Sequence, residues 1–264
     1  MSEPTVNLNQ LPVKQAPVLP RGTALLLVDV QQGFDDPRWG NRNNPEAEAR
    51  MVRLLAVWRS RGLPVIHIQH CSTDPDSPLR SDLPGAALKG ATGPKPGELV
   101  IQKRVNSAFI ETSLEAHLER QGIATLVVVG LTTDHCVSTT VRMAGNLGFT
   151  VFLVSDATAT FGRGGVDGRW YSAEDIHQIH LASLHGEFCT VLSCSDLLAG
   201  LEGSSAPLRP PGFRSRSGGD SEAGATPLQR TQRPPLGPER GPRHEPPPPS
   251  PRGFNAAPSG KELP

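Results

Sequence analysis

Six short apolar runs punctuate the chain from Thr23 onward: TALLLVDV (Thr23–Val30), PVIHIQ (Pro64–Gln69), ELVIQ (Glu98–Gln102), TLVVVG (Thr125–Gly130), TVFLVS (Thr150–Ser155) and CTVLS (Cys189–Ser193). In the fourth, Leu126 to Val129 are apolar without alternation, the pattern of a strand covered on both faces of a parallel sheet. Segments of helical period lie between the runs. Glu46 to Arg61 sets Met51, Leu54, Leu55 and Trp58 on one face and stops at Gly62; Thr112–Gln121, Cys136–Leu147 and Ser172–His185 follow, the last with Ser172 and Asp175 spaced as a capping box. Strand and helix alternate throughout, which predicts an α/β domain: a doubly wound, six-stranded, mainly parallel sheet with helices on both faces and right-handed crossovers.

Two stretches break the rhythm. Ser72 to Pro96 is dense in turn residues and predicts a long loop, of the kind that rims a functional site. Phe161 to Trp170 (FGRGGVDGRW) is rich in glycine but has neither GxGxxG spacing nor a following GK[ST] helix, so it reads as a mobile lid rather than a phosphate cradle.

Composition then divides the chain. Of its 27 prolines, 15 fall after Glu202, where apolar periodicity ceases. The expected organisation is an N-terminal extension (1–20), one domain (21–202) and a disordered Pro/Gly/Arg-rich tail (203–264). The formal charge of zero conceals a tail with 9 Lys/Arg against 5 Asp/Glu and a mildly acidic body. Because the tail's charges are dispersed and not interleaved with aromatics, no nucleic-acid or membrane partner is expected. Neither a membrane-length apolar run nor a basic-then-apolar leader is present in the sequence, and the four cysteines form no CxxC pair, so the expected setting is the reducing cytoplasm.

Candidate chemistry gathers at strand ends. Asp29 ends the first apolar run, Lys103 follows the third, and Cys136 opens the helix after the fourth; in an open α/β sheet such ends converge on the ligand crevice. Taken singly, these are an ordinary strand-end acid, a solvated lysine and a small core residue. Together they supply a base for a thiol proton, a cation for the charges that result, and a nucleophile. A cysteine at a helix N-terminus is also expected to favour its thiolate.

The blocks LLLVDVQQGF around Asp29, VIQKRVNSAF around Lys103 and VVVGLTTDHCVSTTVRMAGNLGF around Cys136, in this order, resemble the isochorismatase-like cysteine hydrolases, which include nicotinamidases, N-carbamoylsarcosine amidohydrolase and streptothricin hydrolases. The resemblance spans about residues 20–200 and leans toward the last two branches. It implies a catalytic triad of Asp29, Lys103 and Cys136, a non-proline cis peptide between Leu131 and Thr132, and an oxyanion hole from the Thr132 and Cys136 amides. The implied reaction is hydrolysis of an amide or lactam C–N bond of a small molecule, a streptothricin-type lactam included, through a thioester. Rival readings are vinyl-ether hydrolysis of the isochorismatase type and a catalytically idle binding module. Family habit further implies a homo-oligomer.

The nicotinamidases of that family carry a metal on an Asp-x-His pattern after the second strand, and this chain reads QHCSTDPDSPLRSD there. No metal and no cofactor are therefore expected. His67 and His70, three apart on a strand, point to opposite faces, while His177 and His180, three apart on a helix, could share an ion only in principle. Phe34, Trp39, Phe161, Trp170 and Tyr171 are candidate walls of a substrate pocket, each equally readable as packing.

Overall fold

A computed structural model of the protein describes residues 19–202. The expectations for residues 1–18 and for the tail from 203 onward lie outside them. The chain runs β1 (Ala24–Val28), α1 (Ala47–Ser60), β2 (Val65–His70), β3 (Leu99–Lys103), α2 (Leu114–Arg120), β4 (Thr125–Leu131), α3 (Ser138–Asn146), β5 (Thr150–Ala159), β6 (Arg163–Gly164), β7 (Trp170–Tyr171), α4 (Ala173–Leu184), β8 (Thr190–Leu192) and α5 (Cys194–Glu202). Six strands form one parallel sheet in the order β3-β2-β1-β4-β5-β8, and β6 and β7 form a separate antiparallel hairpin.

Burial explains the two-sided winding. In β1 and β4 every residue is buried, as covering on both faces demands. Leu25, Leu27, Val127 and Val129 face α1 and α5, where they meet Met51, Leu54, Trp58 and Leu197. Leu26, Val28, Leu126 and Val128 face the other way, into Leu114 and Leu118 of α2, Val141 of α3 and Leu181 of α4. Each fully buried aliphatic side chain of this kind contributes about 1.5–3 kcal/mol relative to exposure. Trp58 adds direction to its bulk, its indole N–H reaching the Thr23 carbonyl at 3.0 Å and tying α1 to the start of β1.

The fold class and all six main strands match the sequence pattern, and the capping box at Ser172 and Asp175 is formed. Three local features differ. The Phe161–Trp170 stretch is a short hairpin in which the Trp170 and Tyr171 rings lie so close over Gly162 and Gly165 that a Cβ would meet them at 2.6 and 2.4 Å. Helix α5 follows the last strand. Its buried Leu197 and Leu201 close the face begun by α1. Finally, a π-turn over Thr133–Val137 precedes α3, so the helix that Cys136 was expected to open has a wide first turn. Of the loop Ser72–Pro96, only Pro84–Ala86 and Gly90–Thr92 make single turns of 3₁₀ helix. None of the described helices is long and apolar enough to cross a membrane.

One backbone contact sets the geometry at the sheet's carboxyl end. Gly130 pairs with Val28 and has φ of 129°, and a Cβ built on it would fall 2.0 Å from the Val28 carbonyl oxygen. Only glycine lets β4 pass β1 this closely. The next residues on the two strands are Leu131 and Asp29.

Candidate active site

Sheet order decides which side chains meet. Since β3, β2, β1 and β4 are consecutive neighbours, their carboxyl ends deliver Lys103, His70, Asp29 and the Cys136 turn to one place. Asp29 has φ of 53°, a left-handed conformation that a short acid tolerates and that ends the strand abruptly. Its carboxylate is wholly buried, as is the Lys103 ammonium, and the two are 2.6 Å apart. Apart from this ion pair, neither Asp29 oxygen has an aligned hydrogen-bond partner among the described residues. Beside the ammonium, the carboxylate's other near partner is the Cys136 thiol, whose proton it is placed to take.

Cys136 is buried, and its sulfur, an Asp29 oxygen and a His70 nitrogen all lie within 4.8 Å of one another. The thiol also reaches Asn106 Oδ1 at 3.6 Å. Here the sequence expectation of a ready thiolate is corrected. Burial, and after it the Asp29 carboxylate, push the thiol's pKa well above its ordinary value, against the opposing pull of Lys103. With its pKa raised, the resting nucleophile is a thiol. Burial works against the Lys103 charge too, but Asp29 and Cys136 more than offset it and hold that pKa above the ordinary lysine value.

The peptide between Leu131 and Thr132 is cis. Beyond it, the Thr132 carbonyl accepts from the His135 and Val137 amides and thereby folds the turn around Cys136. Two buried side chains pin that turn from outside. Asp134 accepts from Thr160 Oγ1 and from Arg163 Nε at 2.8 Å, linking it to the hairpin strand β6; Thr133 Oγ1 meets His177 Nδ1 of α4 at 2.8 Å.

Asp29, His70 and Cys136 offer one ligand atom each to a common point, yet the Lys103 ammonium stands among them, 2.6 Å from Asp29 and 3.1 Å from His70 Nδ1. The set already holds a cation, and a metal does not fit beside it. Elsewhere the histidines are held by other protein groups: His67 Nε2 by Glu98 at 3.0 Å, His177 by Thr133 and Asn44, and His180 Nδ1 by the Ile176 carbonyl at 2.8 Å.

Of the candidate pocket aromatics, Phe34, Trp39 and Phe161 cluster with ring centroids 5.7 to 6.3 Å apart, Phe161 stacked with each of the other two and Phe34 tilted against Trp39, and they join the α1-side core. Trp170 and Tyr171 are on the hairpin, the former 60% exposed. A polar cleft of about 480 Å³ adjoins Lys103, lined by Cys71, Ser72, Thr73, Ser81, Gln102, Arg104 and Glu111; three residues of the Ser72–Pro96 loop border it, while Asp29 and Cys136 are not in its lining. Sequence reasoning missed the parts played by His70 and Asn106. Asn106 lies in an irregular segment, with no periodic signal to aim it.

The isochorismatase domain model matches residues 23–196. The chain is 49% identical over 175 residues to the isochorismatase family protein YrdC of Bacillus subtilis, covering 66% of this chain and 94% of that one. It is 37% identical over 141 residues to a streptothricin hydrolase of Streptomyces noursei, covering 52% of this chain and 50% of the relative. Nicotinamidase 3 of Arabidopsis thaliana and the ureidoacrylate amidohydrolase RutB of Methylobacterium radiotolerans are similar at 27% and 26% identity, covering 69% and 76% of this chain and 89% and 87% of theirs. A solved structure assigned to the same family, from Chromobacterium violaceum, superposes with a TM-score of 0.68 at 49% identity, over 71% of this chain and 99% of the other. With the family's domain spanning most of its length and the family's fold around the strand-end site, the chain belongs to the isochorismatase family of hydrolases.

Proposed function

We propose that the protein is a cysteine hydrolase that opens an amide or lactam C–N bond of a small molecule through a thioester. The observation that carries this reading is the buried meeting of Asp29, Lys103 and Cys136. With the resting group a thiol, proton transfer accompanies attack: Cys136 sulfur bonds to the carbonyl carbon while its proton passes to an Asp29 oxygen. The Thr132 and Cys136 amides receive the oxyanion. The C–N bond then breaks, the protonated Asp29 gives its proton to the leaving amine, and water, deprotonated by the same carboxylate, releases the acid and restores the thiol. Lys103 holds the carboxylate and balances the negative charge that moves between Asp29 and sulfur.

The amidase and amidohydrolase names of two relatives favour C–N cleavage over vinyl-ether hydrolysis. The unpaired state of all four cysteines supports a reducing, cytoplasmic setting. A turnover screen over amides, lactams and vinyl ethers, read by mass for addition of water, tests the assignment. Amide or lactam turnover that disappears in Cys136→Ala supports it. Turnover confined to vinyl ethers, or undiminished in Cys136→Ala, refutes it.

A further inference from the structure

His70 is no part of the triad, yet the fold takes trouble to place it. It ends β2 in register with Lys103 on β3. Its backbone is clamped on both sides by one fully buried side chain: Gln31 Nε2 donates to the His70 carbonyl at 2.9 Å, and Gln31 Oε1 accepts from the His70 amide at 2.9 Å. Gln31 is itself anchored on the Ala86 carbonyl at 2.8 Å. A buried amide that spends its hydrogen bonds on a neighbour's backbone fixes where that neighbour's ring can go.

An ammonium has three donors and no acceptor. Those of Lys103 face three acceptors: Asp29 Oδ2 at 2.6 Å, His70 Nδ1 at 3.1 Å, and the Cys136 sulfur. We infer that His70 is a positioning residue for the hydrolase reaction, its Nδ1 lone pair completing the tripod that keeps the Lys103 ammonium aimed at Asp29 and Cys136 while charge moves between them. Accepting at Nδ1 requires a neutral ring protonated on Nε2, and the Val105 backbone accepts from that ring. The charged or titratable groups facing the imidazole are Lys103 from β3, Asp29 from β1 and Cys136 from the π-turn. Burial first, then Lys103, disfavours the imidazolium. A second proton would set donor against donor and break the tripod. With its lone pair committed to lysine, His70 is not the base for the thiol.

The kinetic arm of the test rests on the proposed hydrolysis; the spectroscopic arm does not. His70→Ala should lower kcat by about ten- to a hundredfold with KM within about twofold, because only alignment during the chemical step is lost. His70→Asn, whose Oδ1 can stand where Nδ1 stood, should recover most of that loss. An Ala variant with unchanged kcat, or an Asn variant no better than Ala, overturns the inference. Nitrogen-15 spectra of histidine-labelled wild-type protein need no substrate and no folded variant. They should show His70 neutral at pH 7 with its proton on Nε2, and a proton on Nδ1 overturns the inference equally.

Discussion

Lys103 Nζ and Asp29 Oδ2 sit 2.6 Å apart with neither side chain reaching solvent. Taking two ions out of water costs several kcal/mol each, a loss their attraction repays only while both are present. Removing one partner strands the other. Lys103→Met or Asp29→Asn should therefore destabilise the fold by about 3–5 kcal/mol and lower kcat/KM by about a thousandfold or more. The double variant should regain stability over the worse single variant and remain inactive. Chemical denaturation of the four proteins checks this; a double variant whose losses simply add would show that the two charges are not coupled.

Thiol chemistry separates resting from reacting states. Since the Cys136 pKa is raised, its thiolate forms only at pH above the ordinary cysteine range, and at pH 7 the group is protonated. Iodoacetamide at pH 7 should accordingly label the half-buried Cys71 before Cys136, and the Cys136 rate should climb with pH without levelling off below pH 9. Peptide mapping of the labelled protein reads the order. Cys136 labelled first and with a plateau near neutrality would mean that Lys103 and the helix terminus outweigh burial.

Metal removal should leave activity intact. The one place where an acid, an imidazole and a thiol converge among the described residues is occupied by the Lys103 ammonium, and a divalent ion there would face an uncompensated buried charge. Exhaustive chelation followed by assay, with metal analysis of the protein, decides the matter: activity that is lost on chelation and restored by one equivalent of metal would contradict the reading.

Acid should loosen the nucleophile turn from its support. Burial raises the Asp134 pKa, but Arg163, His135 and Thr160 together prevail and hold it at about 2, below the usual carboxylate value of 3.8. A depressed folded pKa means that stability is fully present above the unfolded value and is lost as pH falls from there through about 2. Asp134→Asn should lose about 1–2 kcal/mol at pH 7, and the deficit relative to wild type should shrink as the pH approaches 2. A deficit that is constant with pH would assign the loss to packing.

The architecture was readable because strands covered on both faces leave unbroken apolar runs, as Leu126 to Val129 do, and amphipathic helices leave a period, as Met51 to Trp58 do. The hairpin at Arg163 and Tyr171 was not, since two-residue strands leave no period and its glycines read as freedom when they are clearance for rings. His70 shows the same limit at the site. Alternation correctly separates it from His67, but which of the two faces the lysine depends on the spatial order of strands. The thiolate expectation differs for a related reason: position at a helix start is written in sequence, whereas the burial that raises the thiol's pKa belongs to a core cluster drawn from distant segments, Ile68 and Ala108 among them.

Gly130 carries no functional group, and a survey of reactive side chains passes over it. Anyone moving Asp29, Lys103 and Cys136 onto another parallel sheet would nevertheless have to move its missing methyl as well. The separation between the base and the nucleophile is set where β4 leans on the Val28 carbonyl, and a host whose fourth strand bears an ordinary side chain at that level would hold the two apart. Transplanting this chemistry is therefore first a matter of choosing a backbone.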